Sequence, residues 1–311
     1  IKEAMSGIKN LRKYPDPAAT KLVEAIASYH GFNKEEVFVG VGSDDVLAVA
    51  FMTFFNGKKP IFFPDITYSF YPVWAELFGI PYEKKAVNDA FEIQKEDYYA
   101  ENGGVVFPNP NAPTGAFLSL EVVEDIIQHN QDVVVIVDEA YIDFGGDTAK
   151  ELIRKYDNVL VVQTYSKSRS LAGLRIGYAI GNNELIKAMN DVKYSYNSYT
   201  MNEPSIVLGT AVLEDEEYFQ ETRNKIIDTR EWFQIEMRKI GFSFADSKAN
   251  FIFATHESVP AKEIFEAAKK AKIYVRYFDQ TRINNYLRIT IGTREEMETL
   301  LDFLKEFTAT K

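Results

Sequence analysis

Asp138 closes the run Val133-Val-Val-Ile-Val-Asp138-Glu-Ala-Tyr141, and Lys167 stands 29 positions later in Thr164-Tyr-Ser166-Lys167-Ser. Gly173-Leu-Arg175 follows shortly after. A carboxylate at the end of an apolar run, a lysine after the next such run and then an arginine are what a pyridoxal phosphate site needs. Lys167 would form the Schiff base, Asp138 would hold the ring nitrogen, and Arg175 would hold the phosphate. In such a site the cofactor carries the difficult chemistry and the protein orients and tunes it.

Each residue alone is a weak signal. A lysine in Ser-Lys-Ser is usually a solvated loop residue, and only its company changes that. Lysine becomes a Schiff-base nucleophile when its ammonium is partly desolvated. Asp138 follows five apolar residues, and a carboxylate in so dry a place needs a cationic partner. A protonated pyridine nitrogen is such a partner; the plainer reading is a helix cap at a strand-to-helix turn. Tyr141 could donate to the ring oxygen, or could be an ordinary buried tyrosine. Gly40-Val-Gly42-Ser43-Asp44 precedes an apolar helix, where backbone N–H groups point at an anion. Asp44 and Asp45 sit awkwardly beside a phosphate; they suit the helix macrodipole, so their side chains are expected to turn outward. Ser166 could add a hydroxyl, and Tyr68 could stack on the ring face.

The elements that must position these groups are visible as apolar runs. Strands are expected at 37–41, 60–63, 104–107, 133–137, 159–163 and 176–180, several of them nearly continuous in Val, Ile and Phe. That pattern suits strands buried on both faces. Helices are expected at 44–55, after a Ser43 cap, and at 119–130. Strands alternating with helices imply an α/β domain with a mostly parallel sheet, whose ligands collect beyond the carboxyl ends of the strands. Beyond about Tyr199 the texture changes. A long charged amphipathic helix is expected over 214–240, then strands at 251–254, 273–277 and 286–291 with two more helices. This reads as a smaller α+β domain. The aromatic, polar stretch 194–200 reads as a loop facing the site.

The bulk numbers bound the class. A chain of 311 residues has room for two domains. Its net charge of −11 argues against a nucleic-acid partner. The absence of cysteine excludes disulfides and thiolate chemistry and suits a cytoplasmic location. No apolar run is long enough for a membrane span, and no leader is evident. His30, His129 and His256 are scattered, so no metal site is expected.

The chain resembles the fold-type-I pyridoxal phosphate enzymes, most closely the histidinol-phosphate aminotransferase family, over nearly its whole length. The likeness rests on Arg12-Lys-Tyr14-Pro-Asp-Pro, Gly42-Ser43-Asp44-Asp45, Thr67-Tyr68 and Pro108-Asn-Pro-Asn111-Ala112-Pro-Thr-Gly115. It continues through Val137-Asp138-Glu-Ala-Tyr141, Ser166-Lys167-Ser, Gly173-Leu-Arg175-Ile-Gly-Tyr and Leu287-Arg288-Ile-Thr-Ile-Gly-Thr-Arg-Glu-Glu. The resemblance implies the roles above for Lys167, Asp138, Tyr141, Arg175, Ser166 and Tyr68, and for the amides of Ser43 and Asp44. It implies a homodimer in which Tyr14 reaches the phosphate of the neighbouring subunit. It assigns Arg288 to the anionic end of the substrate, with Arg276 nearby. It also implies a division into a remnant of an N-terminal arm at 1–13, a large cofactor domain at 14–213 and a small domain at 214–311. Two departures matter. The family's Asn before Pro-Thr-Gly is Ala112 here, so the ring-oxygen bond falls to Tyr141 alone or to Asn111 or Asn109. The family's Asn-Pro-x-Gly arm is missing before Ile1; either the chain binds cofactor yet turns over poorly, or the arm exists but is not ordered.

The resemblance implies amino transfer from histidinol phosphate, a phosphorylated amine, to the 2-oxo acid 2-oxoglutarate, in histidine biosynthesis. Lys167 would act as base and acid. A threonine-phosphate decarboxylase or an aromatic amino acid aminotransferase would share the scaffold and differ only in pocket contacts. A cofactor-bearing regulatory module would carry a basic DNA-binding extension, and this acidic chain has none.

Overall fold

The computed structural model describes residues 2–8 and 11–311. Two sheets organise it. The first has seven strands: β1 (Val37–Gly40), β2 (Ile61–Pro64), β3 (Tyr82–Lys85), β4 (Val105–Pro108), β5 (Val135–Asp138), β6 (Val159–Thr164) and β7 (Gly177–Gly181). Their order across the sheet is β1-β7-β6-β5-β4-β2-β3. The pairs β2–β3, β2–β4, β4–β5 and β5–β6 are parallel, while β7 runs antiparallel to both β6 and β1. The expected mostly parallel α/β sheet is therefore present. The second sheet is antiparallel, in the order β10-β11-β9-β8. Its strands are β8 (Phe242–Ser243), β9 (Phe251–His256), β10 (Arg276–Tyr277) and β11 (Leu287–Thr290).

Six of the large-sheet strands, all but the edge strand β3, are buried along their length because their runs carry apolar or small residues on both faces. Helices cover both faces. They include α1 (Lys2–Ser6), α2 (Thr20–His30), α3 (Ser43–Phe54), α4 (Phe70–Phe78), α5 (Leu120–Gln128), α6 (Asn183–Tyr196) and α7 (Glu203–Leu213). Residues such as Val137, Val161 and Phe107 face one core, with α2 and α5. Ile136, Val162 and Phe63 face the other, with α3 and α4. The long helix α8 (Glu216–Lys239) leads to the second sheet, which it covers together with α9 (Ala261–Lys270) and α10 (Arg294–Ala309).

The strand β3 was not expected. Its Tyr-Glu-Lys-Lys sequence is polar because it closes the sheet edge, where charge discourages pairing with another chain. The expected Ser43 cap is also corrected: Gly42 is the capping position, and Ser43 is the first helical residue of α3. The stretch 194–200 is not a loop throughout, since α6 continues to Tyr196.

One connection bears directly on the site. The segment 165–176 joins β6 to β7, which returns antiparallel beside β6. Tyr165 N donates to Ile176 O at 3.0 Å and Leu171 N to Tyr165 O at 3.0 Å, which closes the loop. Lys167 and Arg175 lie within it.

The small sheet stands on its own packing. Phe233 of α8 is fully buried against Met237, Ile252, Leu301 and their neighbours. Phe233→Ala is expected to lower stability by about 3–5 kcal/mol, as measured by denaturant unfolding.

Candidate active site

Asp138 is the last residue of β5, a central strand flanked by Pro108 of β4 and Val162 of β6. Its carboxylate is 5% exposed. Tyr71 Oη donates to Oδ2 at 2.8 Å and the Ala140 amide to Oδ1 at 3.3 Å. Burial still dominates, and pushes the carboxyl up to about 6. The ionised form thus lacks the cation that so dry a position demands.

Lys167 is half-buried, with Nζ 5.2 Å from the centroid of the Tyr141 ring. Its charge acts on Asp138, holding that carboxyl down against the larger effect of burial. The ring of Tyr141 packs edge-on against Phe251 at 5.0 Å. Lys167, Asp138 and Tyr141 are therefore brought together, on the β6–β7 loop, the end of β5 and the turn after it.

Arg175 sits at the far end of the same loop in a left-handed backbone conformation, φ 53°. Its guanidinium lies against Gly42, where a Cβ would collide with it. A Cβ on Gly177 would likewise strike the backbone of Gly42 and Ser43. The two glycines keep open a cradle bounded by Arg175 and the first turn of α3, where unpaired amides face outward. Ser166 Oγ lies 3.0 Å from Thr164 Oγ1, on the strand-end side of this cradle.

Of the acidic pair behind Gly42, one member departs from expectation. Asp45 turns back to accept from the Val41 amide at 2.8 Å. Asp44 is exposed, as expected, and accepts from Tyr68 Oη at 2.8 Å while lying 3.8 Å from Arg175 Nη2. The carboxylate tethers Tyr68 over the start of α3 and shares the cradle's arginine at a distance too long for a hydrogen bond.

The asparagine loop gives a second correction. Asn109 is bound at both ends by Leu118, its Nδ2 donating to the carbonyl at 3.0 Å and its Oδ1 accepting from the amide at 2.8 Å. Asn111 Nδ2 donates to Ile66 O and to Thr114 Oγ1, both at 2.9 Å. Both donors of Asn111 are occupied, because the Ile66 carbonyl demands one of them. Only its Oδ1 is buried without a partner. Asn111 therefore has no donor left for a ring oxygen, while Asn109 keeps one N–H beyond its bond to Leu118.

Arg276 and Arg288 are cross-strand partners on β10 and β11. They line a cleft of about 420 Å³ whose other wall carries Thr67, Tyr68 and Ala112. Arg288 Nε is buried without a partner. Tyr14 is elsewhere: it is 81% exposed and its ring packs against Tyr199 at 4.7 Å. It touches none of the groups above.

Tyr71 escaped the sequence reading. It lies three residues after Tyr68 in an aromatic run, and nothing in that run distinguishes it from a core tyrosine. Glu139 escaped it too. It is 1% exposed and accepts from Thr148 Oγ1 at 2.6 Å, the Ala149 amide at 2.6 Å and Gln163 Nε2 at 2.7 Å. Among the described residues no three His, Cys, Asp or Glu side chains group as a metal site would.

The profile of the family described as aminotransferase class I and II matches residues 1–304. The chain belongs to that family, among the histidinol-phosphate aminotransferases. It is 50% identical over 303 residues to the histidinol-phosphate aminotransferase of Lactococcus lactis subsp. cremoris, covering 97% of this chain and 85% of that one. Among solved structures, the histidinol-phosphate aminotransferase of Clostridium acetobutylicum superposes with a TM-score of 0.90 at 23% identity, covering 100% of this chain and 96% of that one. The Sinorhizobium meliloti histidinol-phosphate aminotransferase in complex with pyridoxal-5'-phosphate superposes at 0.88 with 21% identity, covering 99% and 86%. These two likenesses show the shared fold.

Two expectations follow from the geometry. Asp138 moves from 3.8 to about 6 on folding, so the folded apoprotein holds this proton more tightly than the unfolded chain. The ionised group therefore destabilises the fold increasingly between about pH 4 and pH 6, and fully above that, by at most about 3 kcal/mol. Asp138→Asn is expected to raise the melting temperature of the apoprotein at about pH 8 and to change it little at about pH 4. Gly42→Ala, at φ +87° and against Arg175, is expected to weaken cofactor binding by at least about tenfold in a fluorescence titration.

Proposed function

We propose that this chain transfers the amino group of histidinol phosphate to 2-oxoglutarate, with pyridoxal 5'-phosphate bound through Lys167. The observation that carries the reading is the convergence of two sets of groups. Lys167, under-satisfied Asp138 and the Gly42–Arg175 cradle lie at the strand ends. An unpaired arginine couple faces the adjoining cleft, with Tyr68 belonging to both.

The residues fit the cofactor. Asp138 lacks a cation where the ring nitrogen would supply one, and the cradle that Gly42 and Gly177 keep open suits a phosphate. When bound, the cofactor draws electrons from the bond that breaks at the substrate's α-carbon. The protein's own part is positional and electrostatic. Asp138, oriented by Tyr71, keeps a fixed negative charge at the buried end of the site. Arg175, Ser166 and the amides of Ser43 and Asp44 anchor the phosphate, and Tyr68 covers the ring face. Tyr141 would donate to the ring oxygen. Lys167 Nζ takes the α-proton and returns it, acting as base and then acid. Arg276 and Arg288 accept the phosphate end of the donor and then a carboxylate of the second substrate, since a guanidinium fork matches both shapes.

The same reading places residues 14–213 in the cofactor domain and 214–311 in the small domain, and assigns the enzyme to the cytosol as a homodimer. Support for the dimer is the posture of Tyr14. Its segment is fixed by Asp16, which accepts from the Ala18 amide at 3.0 Å and the Thr20 amide at 2.8 Å, and by Lys193, which donates to Pro17 O at 3.0 Å. A large aromatic held outward on a fixed segment suits a contact with a neighbouring subunit's phosphate.

Borohydride reduction in the presence of pyridoxal phosphate, followed by peptide mass mapping, is expected to place the adduct on Lys167. Lys167→Ala is expected to lose turnover entirely while keeping its fold. An adduct on a different lysine would falsify the assignment. Offering histidinol phosphate and threonine phosphate separately with 2-oxoglutarate tests the chemistry: glutamate should form from the first, and carbon dioxide from the second would favour a decarboxylase.

A further inference from the structure

The cleft holding Arg276 and Arg288 has a third cation that the family resemblance does not assign. Lys84 lies on the polar edge strand β3, opposite Phe63 of β2, and its side chain lines the same cleft from the wall of the large sheet. Its neighbour Lys85 is paired with Glu83 at 2.6 Å. Lys84 has no such partner among the described residues; its recorded neighbour is the Tyr82 ring, with Nζ 5.9 Å from the centroid.

The charge balance of the cleft makes this position unusual. Asp65 is the sole carboxylate among the lining residues. Its Oδ2 is held by Arg282 Nη1 at 3.0 Å and its Oδ1 by the Val87 amide at 3.0 Å. Arg282 is fixed in turn, donating through Nη2 to Val87 O at 2.7 Å and to Asn88 O at 3.0 Å. The one negative charge is therefore neutralised at the rim. Lys84, Arg276 and Arg288 remain uncompensated, in a chain whose net charge is −11. Cations left unpaired on both walls of one cleft repel each other until an anion enters.

We propose that Lys84 is a substrate-binding residue that reads the second negative charge of a phosphate monoester. The inference rests on the function proposed above and specifies how that site tells its two substrates apart. A carboxylate carries one charge and is met by the arginine forks. A phosphate monoester near neutral pH carries nearly two, and its third oxygen is free to meet an ammonium from the opposite wall. Lysine meets this task with a mobile positive charge on a long stem. The alternative role of Lys84, guarding an exposed sheet edge, makes no distinction between substrates.

The test compares Lys84→Met and Lys84→Arg holoenzyme with the unaltered protein. In Lys84→Met, KM for histidinol phosphate should rise about tenfold with kcat unchanged, while KM for glutamate and for unphosphorylated histidinol moves less than about twofold. Lys84→Arg should restore most of the loss. Titration calorimetry with inorganic phosphate gives a readout apart from activity, and its Kd should weaken in parallel in Lys84→Met. Equal effects on phosphorylated and unphosphorylated donors, or no effect on either phosphate readout, would overturn the role of Lys84 and leave the proposed function standing. If the unaltered protein neither prefers the phosphorylated amine nor binds phosphate, both proposals fall together.

Discussion

The structure turns on a carboxylate buried without enough partners. Asp138 stands at the end of a central strand with one phenol and one distant amide to satisfy it. Burial raises it to about 6, the signature of a group awaiting a positive charge. This charge cannot come from a nearby arginine, because none is paired with it. The fold therefore keeps an electrostatic debt at the site where a cationic ring would sit. Its geometry is set in advance by Tyr71 from the first turn of α4, so an arriving group meets an oriented acceptor.

The next residue shows the contrast. Asp138 and Glu139 are consecutive, so their side chains point to opposite faces of the sheet. Tyr71, the partner of Asp138, packs in the core with α3 and α4. Glu139 points the other way and receives three short donations from Thr148, Ala149 and Gln163. Burial raises Glu139 to about 7 as well, but its oxygens are occupied by the protein itself. Beyond it the chain of polar groups continues. Tyr178 Oη donates to Gln163 Oε1 at 2.5 Å, so His30 Nε2, 2.8 Å from that oxygen, must be the donor. Burial holds His30 down at about 3, neutral, with Nδ1 as the unpartnered acceptor. This network ties β5, β6, β7 and α2 together beneath the loop that carries Lys167. Of two adjoining carboxylates, one fixes the scaffold and the other is left for chemistry.

Much of this was readable because the apolar runs are long and continuous. Burial on both faces writes itself into Val, Ile and Phe, and whatever follows such a run stands at a strand end. Asp138 and Lys167 were legible for that reason, and Arg175 by its place just before the next run. The edge strand β3 was not, since an edge selects charge and its four residues look like a loop. Nor was Tyr71, because a tyrosine that orients a carboxylate and one that fills a core have the same neighbours in sequence. Asp44 is exposed as its place in the first helical turn suggests, but its bond to Tyr68, 24 positions away, was not legible because the two meet only after folding. Asn111 was misjudged because its competing acceptor, the Ile66 carbonyl, is remote in sequence and close only after folding. The pairing of Arg276 with Arg288 depends on a two-residue strand, too short to leave a period.

The distribution of unpaired cations follows the same logic as the unpaired acid. Among the described residues fewer than half of the lysines and arginines are matched with carboxylates, although the acidic chain supplies carboxylates in excess. Such exposed pairs contribute little to stability, but they remove positive charge from the general surface. Among the cations left without a close carboxylate are those of the cradle and of the cleft. Arg175 donates through Nη1 to Ala172 O at 3.3 Å and has Asp44 at 3.8 Å, shared with Tyr68, so Nη2 faces the Gly42 cradle. At the other end, Arg276 and Arg288 are held on one face by strand register, and the cleft's single carboxylate is captured by Arg282. Tyr68 lies between the two regions, tethered at one and lining the other. Tyr68 thus links the cradle at the start of α3 to the cleft between the two sheets, so a change at one is felt at the other through a single side chain.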